Sequence, residues 1–129
     1  MIILDTHIWL WWVNGDTEKL DQRRLEQITS SDIVAVSAIS SFEVAWLVHH
    51  GRIVLPIGAR DWFDKALDGS GIHLIPITPE IACKAVELPD HHSDPQDRII
   101  IATALVNNAS LMSSDRKFSC YTELGKMLL

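Results

Sequence analysis

Asp5, Glu43, Asp97 and Asp115 are the residues through which this chain could do chemistry, because each acid stands where apolar company is expected. Asp5 closes the run "MIIL" and precedes "THIWLWW", and Asp115 follows "SLMSS" in the same manner. Glu43 has Ile39 four residues before it and Trp46 and Leu47 three and four after it, spacings that put the carboxylate on the apolar face of a helix. Asp97 heads a further apolar stripe of Ile100, Ile101, Ala104 and Leu105. Taken singly, each acid has an ordinary structural reading. Asp5 could cap a helix, Asp115 could begin a turn, Glu43 could pair with Lys or Arg, and Asp94 and Asp97 could share a capping box around Pro95. Together they border one core, and carboxylates within a few ångströms of one another cannot all stay ionised without a cation. Oxygen-only ligation suits Mg²⁺ or Mn²⁺, which also accept substrate phosphate oxygens.

The elements that must position these acids alternate. Short aliphatic runs predict strands at Ile2 to Asp5, Ile33 to Ser37, His73 to Ile77 and Leu111 to Ser113, with a possible fifth at Met127 to Leu129. Helices are predicted at Thr6 to Val13, Glu18 to Ile28, Ile39 to His50, Ala59 to Asp68, Pro79 to Glu87 and Gln96 to Asn108. Such alternation is the pattern of parallel βαβ units, an α/β class with helices on both faces of a mostly parallel sheet of four to five strands. In open sheets of this class ligands bind beyond the carboxyl ends of the strands, where Asp5 and Asp115 would stand side by side. Thr78 before Pro79 suits an N-cap with proline at N1, Gly51 suits a helix end, and Gly69 and Gly71 mark a turn. The segment "LPDHHSDPQD" reads as a polar loop, and "RIVL" at 52–55 is open between a short strand and an extended connector.

At 129 residues the chain is most simply one domain, 1–129, able to bury about two-thirds of the surface its unfolded form exposes. Cys83 and Cys120 form neither a disulfide framework nor a CxxC site and read as buried or incidental thiols, which suits a reducing cytoplasm. Asp5 and His7 interrupt the first apolar stretch, so it is no signal peptide, and no run approaches the length of a membrane span. A net charge of −6 argues against a broad electropositive surface for nucleic acid, so a bound cation would have to supply positive charge.

Four stretches, in order along nearly the whole chain, resemble the PIN-domain ribonucleases and, within them, the VapC-type toxins of bacterial toxin–antitoxin pairs. Asp5-Thr6-His7 with Trp9 resembles "DTHxxLW", and "SAISSFE" ending at Glu43 resembles "SxxSxWE". "LPDHHSDPQDRIIIATA" resembles "LPxxHxDPxDRLLIAxA", and "LMSSDRKF" resembles "LVTxDxxF". The resemblance implies a Rossmann-like α/β/α fold and an acidic quartet of Asp5, Glu43, Asp97 and Asp115 holding one or two Mg²⁺ or Mn²⁺ ions. It implies an endoribonuclease in which a metal-activated water attacks the phosphodiester, leaving 5′-phosphate and 3′-hydroxyl ends. It also implies a cognate VapB-type antitoxin and a homodimer as assembly partners. Asp94 then becomes a helix cap or a support to the ligands, and Thr6 and Ser113 offer hydroxyls to water, metal or phosphate. Phe42 stands where many relatives have Trp, a change of packing rather than chemistry.

Other features compete for a role. Arg98 beside Asp97 and Arg116 beside Asp115 suit phosphate contacts, or else pair with local acids. His92 matches the family's loop histidine and suits either the site or a structural hydrogen bond. The paired histidines at 49–50 and in "DHHSD" lack any accompanying zinc motif. Trp9, Trp11 and Trp12 face different directions on one helix, which favours packing over base stacking, and Trp46 and Trp62 are also expected to pack. Two alternatives to a toxin remain: a PIN-type nuclease in RNA processing or on structured DNA, and a non-catalytic α/β metal-binding module. A haloacid-dehalogenase reading needs DxDx where this chain has "DTHI".

Overall fold

The computed structural model describes residues 1–91 and 94–129; the role expected of His92 lies outside them. Four short parallel strands form one sheet: β1 (Ile2–Leu4), β2 (Val34–Ser37), β3 (Ile72–Ile75) and β4 (Ser110–Met112), in the order β3-β2-β1-β4. The helices are α1 (Thr6–Asn14), α2 (Gln22–Ser30), α3 (Ala38–His49), α4 (Ala59–Ala66), α5 (Pro79–Glu87) and α6 (Pro95–Asn107).

Alternation along the strands divides the core between the two faces of the sheet. Ile3, Ala35 and Leu111 face a core completed by α5, α6 and the C-terminal Phe118 and Tyr121. Ile2, Leu4, Val36 and Met112 face the other way, onto Trp9 of α1, Ile28 of α2, Val44 of α3 and Trp62 of α4. Strands buried on both faces read as continuous aliphatic runs, which is why three residues suffice for β1.

Local chemistry sets most boundaries. Thr78 caps α5 with Pro79 at its first turn, and Asp94 caps α6 with Pro95 likewise. Helix α2 begins at Gln22 rather than Glu18 because the Asp21 carboxylate accepts the Arg24 N–H at 2.8 Å and starts the helix there. Strand β3 stops at Ile75 because Pro76 has no N–H to continue the ladder. The expected fifth strand shrinks to one parallel bridge between Leu111 and Leu128, the chain before it being a tight turn at Gly125–Met127. Residues 52–55 form a connector outside the sheet.

The tryptophans divide. Trp9 and Trp62 are fully buried, their ring centroids 5.1 Å apart, and each indole N–H is satisfied, Trp9 by the Ala66 carbonyl at 3.1 Å and Trp62 by Asn14 Oδ1 at 2.8 Å. Trp46 is exposed and packs on the surface, stacked on His50 at 4.0 Å between centroids. Cys83 and Cys120 are both exposed. No helix among the described residues is long and apolar enough to cross a membrane.

Candidate active site

Chain direction creates a crevice before any side chain is considered. From β1 the chain proceeds outward through β2 to β3, then returns to place β4 on the other side of β1, so the order switches between β1 and β4. The register pairs Leu4 with Met112, and the Asp5 N–H donates to the Met112 carbonyl at 3.0 Å. Asp5 and Ser113 are therefore the first residues past neighbouring strand ends, at the switch point where ligands of such sheets bind.

A cavity of about 270 Å³ opens there, lined by Asp5, Thr6, Glu43, Asp94, Asp97 and Asp115, with His7 and Ser114 at its sides. All four acids of the sequence-derived quartet share it. Asp5 reaches it from the end of β1, Glu43 from the second turn of α3, Asp97 from the first turn of α6, and Asp115 from the turn after β4.

Asp5 is almost completely buried, and its oxygens are assigned. Oδ1 accepts the Ile8 N–H at 2.9 Å and so caps α1, while Oδ2 accepts the Ser113 hydroxyl at 2.6 Å and the Ser114 N–H at 3.3 Å. The capping and ligand readings of Asp5 are thus compatible, since Oδ1 accepts a single hydrogen bond and keeps a further lone pair. Ser113 Oγ also accepts the Asp115 N–H at 3.0 Å, so one buried hydroxyl fixes both acids. Burial pushes the Asp5 carboxyl above the ordinary range, with the Ser113, Ile8 and Ser114 hydrogen bonds opposing it.

Glu43 differs. Among the described residues its buried Oε2 has no hydrogen-bond partner, and burial raises its pKa, the Thr6 hydroxyl and His7 opposing while Asp94 and Asp5 reinforce the rise. Thr6 itself is buried and donates to Ser40 Oγ at 3.0 Å, tying the start of α1 to α3 on the turn before Glu43. Because the folded chain holds this proton more tightly than the unfolded chain, Glu43 favours the metal-free fold most at acid pH, and that contribution is lost as pH rises through the raised value. Glu43→Gln is therefore expected to raise the melting temperature in chelator at pH 7.5 and to change it little near pH 4, as scanning calorimetry at both pH values would show. Equal shifts at the two pH values would mean that the charge is not the cause.

Several expected contributors sit elsewhere. Of the two readings open for Arg98, phosphate contact or pairing with a local acid, its contacts match the second: it lies 3.5 Å from Asp90 and is not among the residues lining the pocket. Its guanidinium donates to the carbonyls of Leu88 at 2.7 Å, Pro89 at 2.9 Å and Val86 at 3.3 Å, which the end of α5 leaves open. Asp94 caps α6 through the Gln96 N–H at 2.9 Å while also lining the pocket. Arg116 is exposed on the far side of Asp115, in a neighbouring groove. Sequence reasoning passed over His7 and Ser114. His7 was legible as the residue one turn-step from Asp5 on a helix start, whereas Ser114 enters through its backbone N–H, which no side-chain pattern encodes.

The comparisons with known proteins bear on this geometry. A family model described as PIN domain matches residues 2–124. Ribonuclease VapC22 of Mycobacterium tuberculosis (strain ATCC 25618 / H37Rv) is 36% identical over 117 residues, 90% of this chain and 88% of that protein. The chain belongs to the PIN domain family. Solved structures share the fold of this PIN domain: the VapBC2 complex of Rickettsia felis bound to a DNA fragment from its promoter has a TM-score of 0.71 at 20% identity, covering 100% of this chain and 98% of that one. A toxin–antitoxin complex from Klebsiella pneumoniae gives 0.63 at 18% identity, covering 100% and 96%. These likenesses speak to the fold; the nearer sequence relative is VapC-type.

Whether the acids of this PIN domain suit a cation is testable on the structure itself. Among the described residues no three His, Cys, Asp or Glu side chains are drawn in to the spacing of a closed metal site. The donor set fits a hard divalent ion nonetheless: four carboxylates face one cavity, and Glu43 Oε2 is a buried acceptor with no donor among the described residues. Sulfur is absent from the lining, which disfavours softer metals.

Proposed function

We propose that this PIN domain is an Mg²⁺- or Mn²⁺-dependent endoribonuclease and the toxin of a toxin–antitoxin pair. The observation that carries the reading is the convergence of Asp5, Glu43, Asp97 and Asp115 on one cavity at the switch point of the sheet, in a chain 36% identical to a named ribonuclease. The four carboxylates would hold the cation. When bound, it supplies Lewis acidity, lowering the pKa of water toward neutrality and offsetting charge on phosphoryl oxygens. The protein's part is orientation. Ser113 locks Asp5 and the backbone of Asp115 in one arrangement, and the Thr6–Ser40 bond holds α3 against α1 so that Glu43 stays aimed into the cavity. Asp94, fixed as a cap, adds negative potential that strengthens cation binding. His7 also lines the cavity, within reach of a substrate bound there.

A VapB-type antitoxin and a second copy of this chain complete the reading as partners. Support for the antitoxin comes from the fold neighbours, which were solved as toxin–antitoxin complexes. A cationic segment of such a partner would match the charge of the cavity. Purified chain incubated with single-stranded RNA, structured RNA and flapped DNA, each in Mg²⁺, Mn²⁺ and chelator, tests the activity. Cleavage of RNA in either metal, with 5′-phosphate ends and none in chelator, is the expected result. Cleavage confined to flapped DNA would favour a structure-specific nuclease, and no cleavage of any substrate would leave a non-catalytic module.

A further inference from the structure

The acidic cavity does not end at Asp115. A groove of about 420 Å³ shares Ser114 and Asp115 with it and is otherwise lined by Arg24, Arg116, Ser113, Ser119 and the apolar Leu128 and Leu129. Arg24 also lines a third groove of about 550 Å³, together with Arg23, Gln27 and Lys126. Four of the chain's 11 Lys and Arg residues thus border one continuous path from the acids, in a molecule of net charge −6. The path stands out against that background as a place for an anion.

Its acids are already engaged by backbone. Asp21 Oδ1 accepts the Arg24 N–H at 2.8 Å, and Asp115 Oδ1 accepts the Lys117 N–H at 2.9 Å. Arg24 is half-buried, with Nη2 donating to the Ser113 carbonyl at 3.1 Å, so its guanidinium is held at the groove floor beside the turn that carries Asp115. Arg116 and Lys126 are exposed, free to follow a moving strand. A polyanion drawn to four carboxylates meets repulsion everywhere except at a bound cation, so the neighbouring phosphates need cations of their own.

We propose that the RNA strand leaves the acidic cavity through this path, the phosphates flanking the scissile one lying on Arg24 and Arg116 and continuing toward Arg23 and Lys126. The inference rests on the nuclease reading and names where its substrate runs. Arg24 then has two parts: it braces the Ser113 turn and presents its remaining N–H groups to phosphate, in the planar fork that suits phosphate oxygens.

The test uses the full chain with Arg116→Ala and Lys126→Ala combined, both being exposed positions that leave the core alone. Binding of a labelled single-stranded RNA is followed by anisotropy in chelator over a series of salt concentrations, and cleavage kinetics are measured in Mn²⁺. Loss of two phosphate contacts is expected to flatten the slope of log affinity against log salt by about 1.4, at roughly 0.7 per contact on a single strand. KM for RNA should rise on the order of tenfold with kcat changed less than about twofold, the pattern of lost uniform binding. The charge-conserving pair Arg116→Lys and Lys126→Arg should keep the wild-type salt slope. If wild type cleaves RNA and the double alanine variant matches it in slope and KM, the path is wrong and the nuclease stands. If wild type binds RNA with a slope that depends on these cations yet cleaves nothing in either metal, the path stands and the nuclease reading falls. Absence of RNA binding by wild type overturns the path.

Discussion

Asp97→Asn is expected to lower kcat/KM for RNA cleavage by more than about 100-fold, beyond what loss of a contact that merely supports a ligand commands. Asparagine keeps the shape of aspartate and stays compatible with the first turn of α6, where Asp94 and Pro95 already define the helix start. What it removes is one negative charge from the cavity. The fold should survive, because the lost interaction of a carboxylate with the helix N-terminus is worth only about 0.3–1 kcal/mol. Three measurements check this: cleavage of single-stranded RNA in Mn²⁺, growth of cells expressing the variant, and the rise in melting temperature that Mn²⁺ produces. Loss of all three effects with an unchanged melting temperature in chelator is the expected pattern. Full cleavage by the variant would remove Asp97 from the site and, with it, the quartet.

Arg98→Ala should act on stability. Only 12% of the Arg98 side chain is exposed, and its guanidinium serves three carbonyls at the end of α5 as well as approaching Tyr121 Oη at 3.5 Å. Truncation leaves those carbonyls unsatisfied, and with charged donors worth about 1.5–3 kcal/mol each before relaxation and water entry, a net loss of about 3 kcal/mol is expected. Such a loss is a large fraction of the roughly 5–15 kcal/mol typical of natural domains. The ion pair with Asp90 at 3.5 Å adds little, since that partner is fully exposed. Arg98→Lys should recover less than half, because an ammonium cannot reproduce a fork spread over three acceptors. Urea unfolding of the three proteins measures this directly. A loss below about 1 kcal/mol in the alanine variant would mean that water replaces the guanidinium readily. Because α5 and α6 are joined by the segment that Arg98 anchors, the same variant should also lose activity through misplacement of Asp94 and Asp97.

Arg98 also shows where sequence reading stops. Its neighbour Asp97 was assigned to the site from an apolar stripe at helical spacing and a family motif, and Asp97 lines the cavity. Residues in sequence on a helix point about 100° apart, so adjacency to a site acid says little about where a long arginine reaches. The direction of Arg98 follows from carbonyls that the end of α5 leaves open, a fact of packing between two helices. Trp46 follows the same logic: its apolarity predicts packing, and only the fold shows that it packs at the surface, exposed and stacked on His50.

By itself the sequence determined the alternation of strands and helices, the caps at Thr78 and Asp94, and which four acids stand at strand ends or in helical apolar stripes. These are local properties: periodicity, the missing N–H of proline and the reach of a short side chain to the next turn. Tertiary structure alone decided that β4 returns beside β1, so that Ser113 bonds Asp5 across 108 residues of chain and Arg24 reaches the Ser113 carbonyl across 89. Strand order is set by which faces bury most apolar surface together, and that sum runs over the whole molecule. The acids, the Ser113 hydroxyl and Arg116 could therefore be named from the chain, while the bonds by which Ser113 aligns Asp5 and Asp115, and the place of Arg24 beside them, came only from the fold.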